Sequence, residues 1–71
     1  MNWDIAAGNW KQFKGTVRAR WGKLTDDHLD VIAGKRDLLL GKLQEAYGLS
    51  KEDAEGELKT FEERNKHYGV K

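Results

Sequence analysis

The chain has 71 residues, with 13 Lys and Arg against 12 Asp and Glu, eight glycines, no proline and no cysteine. That length sets a ceiling of one domain, 1–71, because a chain this short buries only about 60% of the surface its unfolded form exposes. Without cysteine there is no disulfide staple, no thiolate metal site and no thiol nucleophile.

With proline absent, glycines and capping residues must punctuate the chain. Asn2 is suited to open a helix over Trp3 to Trp21. Its apolar positions Trp3, Ala6/Ala7, Trp10, Phe13, Val17 and Trp21, continued by Leu24, recur at spacings of three and four and so share one face. Gly22 suits a left-handed residue after that helix, and Thr25 with Asp26 and Asp27 suits a new N-cap and first turn. The second helix carries Leu29, Val31 and Ile32 and falters near Ala33-Gly34. A third runs from about Lys35 to Tyr47 with Leu39, Leu43 and Ala46/Tyr47 on one face; these two helices are either separate or one bent helix. Gly48 ends the third as Gly22 ends the first. Ser50 caps a fourth, with Asp53 in capping-box position, that presents Ala54, Leu58 and Phe61 and frays from Asn65 to Lys71. No strand pattern competes.

Two stretches share a plan of aromatic, glycine, leucine, hydroxyl cap and acidic first turn: Trp21-Gly22-Lys23-Leu24-Thr25-Asp26-Asp27 and Tyr47-Gly48-Leu49-Ser50-Lys51-Glu52-Asp53. The halves read as two helical hairpins packed together, unless short hairpins merely resemble one another. Glycines also recur in sevens, at Gly8, Gly15, Gly22 and again at Gly34, Gly41, Gly48. Gly22, Gly34 and Gly48 are expected to be helix ends or tight crossings. Gly8, Gly15 and Gly41 fall away from the apolar faces, where each costs a helix about 0.5–1 kcal/mol relative to alanine. Either the helices are meant to loosen and re-form with hydration, or a partner's backbone approaches along the stripe.

Charged residues make up 35% of the chain and the mean hydropathy is −0.85, a lean towards disorder. A net charge of only +1 and seven aromatics, three of them tryptophan, favour a small, marginally stable fold instead. Little points to catalysis. Ser50 is explained as a cap, and His28 and His67 as solvated; Glu63 and His67 share a helix face, but two ligands do not close a metal site. No phosphate-binding glycine loop or paired Cys/His spacing occurs. The charge is uneven: residues 1–24 carry net +4, residues 25–50 net −2 and residues 51–71 net −1. Lys11, Lys14, Arg18 and Arg20 on the first helix are candidate contacts for an anion or nucleic acid, although pairing with the acidic later helices explains them equally well. The tryptophan spacing says core, with Trp3 the most exposed. No membrane span is expected, since the longest apolar run is Leu38-Leu39-Leu40. No signal peptide is visible either, which fits a reduced cytoplasmic compartment.

The run Gly8-Asn9-Trp10-Lys11-Gln12-Phe13-Lys14-Gly15, followed by Trp21-Gly22-Lys23-Leu24-Thr25-Asp26-Asp27, resembles the signature of the CsbD-like family of small bacterial stress-response proteins. Gly34-Lys35-Arg36-Asp37 and Leu40-Gly41-Lys42-Leu43-Gln44 through Tyr47-Gly48 continue the likeness in register. Trp3 stands where the family has a polar or charged residue, His28 replaces an acidic or polar one, and Arg18 and Arg20 fall in a typically lysine-rich stretch. The resemblance implies a cytoplasmic protein of the general stress response with no enzymatic activity and no cofactor. It also implies an all-α, four-helix domain of two crosswise-packed hairpins, SAM-domain-like. The expected function is thus a non-enzymatic, hydrophilin-like protective role, exercised by a monomer or through protein partners. The alternative is a weak nucleic-acid-binding module built on the basic first helix.

Overall fold

The computed structural model describes residues 1–67. These form five helices and no strand: α1 (Trp3–Gly8), α2 (Trp10–Arg20), α3 (Asp26–Ile32), α4 (Arg36–Tyr47) and α5 (Lys51–Arg64). The all-helical expectation is met, but there is one more helix than the periodicity predicts. The expected helix over 3–21 is interrupted at Asn9, whose backbone sits at φ −118°, ψ 32°. Gly8 and Asn9 are both weak helix formers, and Asn9 Nδ2 donates to the Ile5 carbonyl at 3.3 Å, competing with the backbone ladder. Apolar periodicity survives the break, so it could not reveal it.

The other boundaries follow local chemistry. Asn2 Oδ1 accepts from the Asp4 and Ile5 amides and opens α1. Thr25 caps α3 in a reciprocal box: its hydroxyl accepts from the His28 amide, and His28 Nδ1 accepts from the Thr25 amide. His28, expected to be merely solvated, is therefore a capping residue. Ser50 Oγ accepts from the Asp53 amide at the start of α5. Helices α3 and α4 are separate, because Ala33 (φ 48°) and Gly34 (φ 84°) both turn left-handed between them. Gly48 ends α4 in the left-handed region at φ 65°. Gly22 does not do the same for α2: the terminating residue is Trp21 at φ −126°, ψ 83°, and Gly22 keeps a negative φ. Trp21, a buried residue, itself takes the terminating backbone conformation, so no left-handed glycine follows α2.

The core is built from the predicted faces. Ala6, Trp10, Phe13, Val17, Trp21 and Leu24 are buried from the first segment, and Leu29, Ile32, Leu39, Leu43, Ala54, Leu58 and Phe61 from the rest. Leu40 joins them, whereas Val31 stands 61% exposed and leaves the α3 face to Leu29 and Ile32. Phe13 is the hub of the aromatic cluster, with ring centroids 6.2 Å from Trp3, 6.0 Å from Trp10 and 5.8 Å from Phe61, while Trp21 lies 4.8 Å from Phe61. Gly34 is buried where α1 crosses the α3–α4 junction. A Cβ there would lie 2.6 Å from the Ala7 Cβ and 2.9 Å from the Ala7 nitrogen, so only glycine allows this approach. The expectation of a tight crossing is met at this position.

Candidate functional site

Of the four candidate contacts on α2, three face acidic side chains of this same chain. Lys14 Nζ lies 3.1 Å from Asp30 Oδ1, and Arg18 Nη1 donates to Asp26 Oδ1 at 2.8 Å. Arg20 Nη2 donates to Glu57 Oε1 at 2.8 Å, and its guanidinium also lies 5.4 Å from the Trp21 ring. Only Lys11 makes no ion pair among the described residues. The helix that is net positive in sequence is thus matched by carboxylates of α3 and α5. Exposed pairs of this kind each contribute about 0–1 kcal/mol, so they neutralise the face more than they stabilise it.

The tryptophans tie the helices together through their indole N–H groups. Trp10 Nε1 donates to the Leu29 carbonyl of α3 at 2.7 Å, in a buried bond. Trp3 Nε1 donates to Glu62 Oε2 at 2.7 Å, and Trp21 Nε1 to Glu57 Oε1 at 3.2 Å, both on α5. Each large ring therefore buries apolar area and satisfies its polar atom on a different helix from its own. The core role expected of Trp10 and Trp21 holds, and Trp3 is the half-buried one.

A second charged cluster escapes a pattern reading because its members are 19 and 26 residues apart. Arg36, at the start of α4, donates from Nη1 to Glu55 Oε2 at 3.2 Å and from Nε to Glu62 Oε2 at 3.0 Å. Its Nη2 lies 2.6 Å from Glu55 Oε1. The guanidinium hydrogen bond holds the Glu55 carboxyl below its ordinary range. Burial pushes Glu62 up, but the bonds from Arg36 and the Trp3 indole outweigh it and leave Glu62 lowered as well. Between two carboxylates, Arg36 is held firmly protonated.

Ser50 is occupied as a cap. Glu63 pairs with Lys66 at 3.4 Å, while His67 is exposed. No group of three or more His, Cys, Asp or Glu among the described residues is arranged to hold a metal ion. No described helix is long and apolar enough to cross a membrane.

The helical stretch from α1 to the middle of α5, residues 4–56, matches the family described as CsbD-like. The chain belongs to the CsbD-like family. It is 59% identical over 68 residues to a UPF0337 protein of Pectobacterium atrosepticum, covering 96% of this chain and 99% of the relative. It is 58% identical over 67 residues to the UPF0337 protein YjbJ of Escherichia coli K12, covering 94% and 97% of the two chains. A UPF0337 protein of Protochlamydia amoebophila is 52% identical over 66 residues, 93% of this chain and all of the relative. The resemblance stated from the motifs is therefore confirmed over nearly the full length. CsbD-like membership implies a part in the general stress response. Within the matched span lie the Lys14–Asp30 and Arg18–Asp26 pairs and the Gly34 crossing; Glu57 and Glu62, the α5 acceptors of Trp21 and Trp3, lie beyond it.

Proposed function

We propose that this CsbD-like domain is a non-enzymatic, hydrophilin-like protectant of the cytoplasm that acts by abundance, as a monomer with two crosswise, SAM-domain-like hairpins. The observation that carries the reading is the environment of the helical glycines. A Cβ added at Gly8, Gly15 or Gly41 would meet nothing within 4 Å, so packing does not require glycine there. Gly15 and Gly41, inside α2 and α4, each keep the helix weaker by about 0.5–1 kcal/mol than alanine would, a large share of the margin of so small a fold. Gly8 instead stands at the end of α1. High charge and a mean hydropathy of −0.85 keep a loosened chain hydrated and non-aggregating. The fold is thus poised to loosen and re-form as water activity changes, shielding other proteins while it does so.

The test is circular dichroism during drying and with added osmolyte, alongside recovery of a dehydration-sensitive enzyme. A changing helix signal together with enzyme protection supports the reading; an unchanged signal with no protection removes it. The nucleic-acid alternative through Lys11, Lys14, Arg18 and Arg20 requires breaking three ion pairs that the chain makes with itself. A salt-dependent shift with DNA or RNA at low ionic strength would revive it.

A further inference from the structure

Helix α1 is attached to the rest of the molecule differently from the others. It has six residues, Trp3–Gly8, too few for an isolated helix to be stable in water. It is joined to α2 through Asn9, which gives α2 no side-chain cap. What holds it is a short set of contacts at its two ends. Ala6 is buried and Ala7 rests against Gly34 near the hinge. At the far end the Trp3 indole donates to Glu62, and the Met1 ammonium donates to the Lys66 carbonyl at 3.3 Å. The outer half of α1 is thus held by the packing of Met1 and Trp3 on the core and tied to α5 through the Glu62 carboxylate.

That carboxylate is shared. Glu62 Oε2 accepts from Trp3 Nε1 at 2.7 Å and from Arg36 Nε at 3.0 Å, and Oε1 lies 3.4 Å from Arg36 Nη2. The groups facing it are Arg36 from α4, Glu55 from its own helix and the Trp3 indole from α1, while the Met1 ammonium is turned to the Lys66 carbonyl. From α2, the Phe13 ring lies edge-on to Trp3 at 6.2 Å. Adding a proton to Glu62 removes the negative charge that both donors address, and leaves Arg36 with Glu55 as its remaining counter-charge.

We propose that α1 is an acid-released strap, which swings on Gly8–Asn9 once Glu62 is protonated and uncovers the Phe13–Phe61 aromatic face. The lowered Glu62 value places this release below the ordinary glutamate value of 4.5. Within the α2–α5 body the Trp10 tie lacks this dependence, because it goes to a backbone carbonyl that does not titrate, whereas Trp21 donates to the Glu57 carboxylate. The body's apolar contacts through Leu39, Leu43 and Leu58 are equally indifferent to protons.

The three indole N–H signals of the full chain, labelled with nitrogen-15 at tryptophan, test this by nuclear magnetic resonance between pH 7 and pH 3. The Trp3 signal is expected to shift, and cross-peaks between the Trp3 and Phe13 rings to disappear, while the Trp10 signal and the helical dichroism stay native. In Glu62→Gln, which is uncharged at every pH and so mimics the protonated side chain, the Trp3–Phe13 cross-peaks are expected to be lost already at pH 7, with no further change down to pH 3. The proposal is overturned if Trp3 and Trp10 change together with helix content. It is also overturned if the Trp3–Phe13 cross-peaks persist to pH 3 in the wild type, or if they persist at pH 7 or titrate unchanged in Glu62→Gln. The wild-type comparison decides even should the variant not fold.

Discussion

Gly34 and Trp10 carry the tightest demands on individual residues. Gly34 combines a φ of 84° with the Ala7 backbone lying where a side chain would go. Gly34→Ala is therefore expected to cost at least about 2 kcal/mol, from left-handed strain and from forcing α1 off the α3–α4 junction. Chemical denaturation reads it directly, and Gly48→Ala, strained but facing open space, should cost less, about 1–2 kcal/mol. Trp10→Phe removes a buried donor to the Leu29 carbonyl and leaves a smaller ring, an expected loss of about 1–3 kcal/mol by the same measurement. Helical spacing was enough to place Trp10 and Trp21 in the core and Trp3 at its edge. It could not name the indole acceptors, because Leu29, Glu57 and Glu62 lie 19 to 59 residues away in the chain. Nor could it tell Gly34 from Gly22, since a turn glycine and a crossing glycine read alike until the crossing chain is in place.

At the scale of helices, composition and capping explain most boundaries. Ser50 and Thr25 were legible as caps because a hydroxyl followed by an acidic first turn has few other uses. The reciprocal bond from His28 was not, since a histidine at that position carries no common capping signature. The break at Asn9 was hidden for a different reason: α1 and α2 keep the same three-and-four apolar spacing across it, because Ala6, Trp10 and Phe13 all enter one core. Val31 misled in the opposite direction. It is a strong apolar residue beside Ile32, yet α3 is only seven residues long and turns just one face inward. The open glycines give the clearest prediction for elements. Gly15→Ala and Gly41→Ala should each stabilise the fold by about 0.5–1 kcal/mol, seen as a higher denaturation midpoint with unchanged slope. A loss of stability at either position would mean that the added methyl group meets a contact that the open space excludes.

Across the whole molecule, the basic N-terminal third closes on the acidic remainder through Lys14–Asp30, Arg18–Asp26 and Arg20–Glu57. The charge asymmetry was visible in the sequence, and so was the choice between self-pairing and an outside anion; the pairing geometry was not, because it depends on how α2 lies against α3 and α5. Stability should depend on acid in a definite direction. Glu55 and Glu62 are held below 4.5 in the folded chain, so the unfolded chain takes up protons first as pH falls. Their contribution is complete above that value and is lost progressively below it. Denaturation midpoints at pH 7 and pH 3.5 should therefore differ, and Arg36→Gln should lower the midpoint at pH 7 and shrink that difference. The central claim is that a fold held near its margin by Gly15 and Gly41 is what protects other proteins. It is tested most directly by comparing wild type with the Gly15→Ala, Gly41→Ala double variant in recovery of a dried enzyme. The account predicts a stabler helix signal and weaker protection from the double variant; a stabler fold with undiminished protection would contradict it.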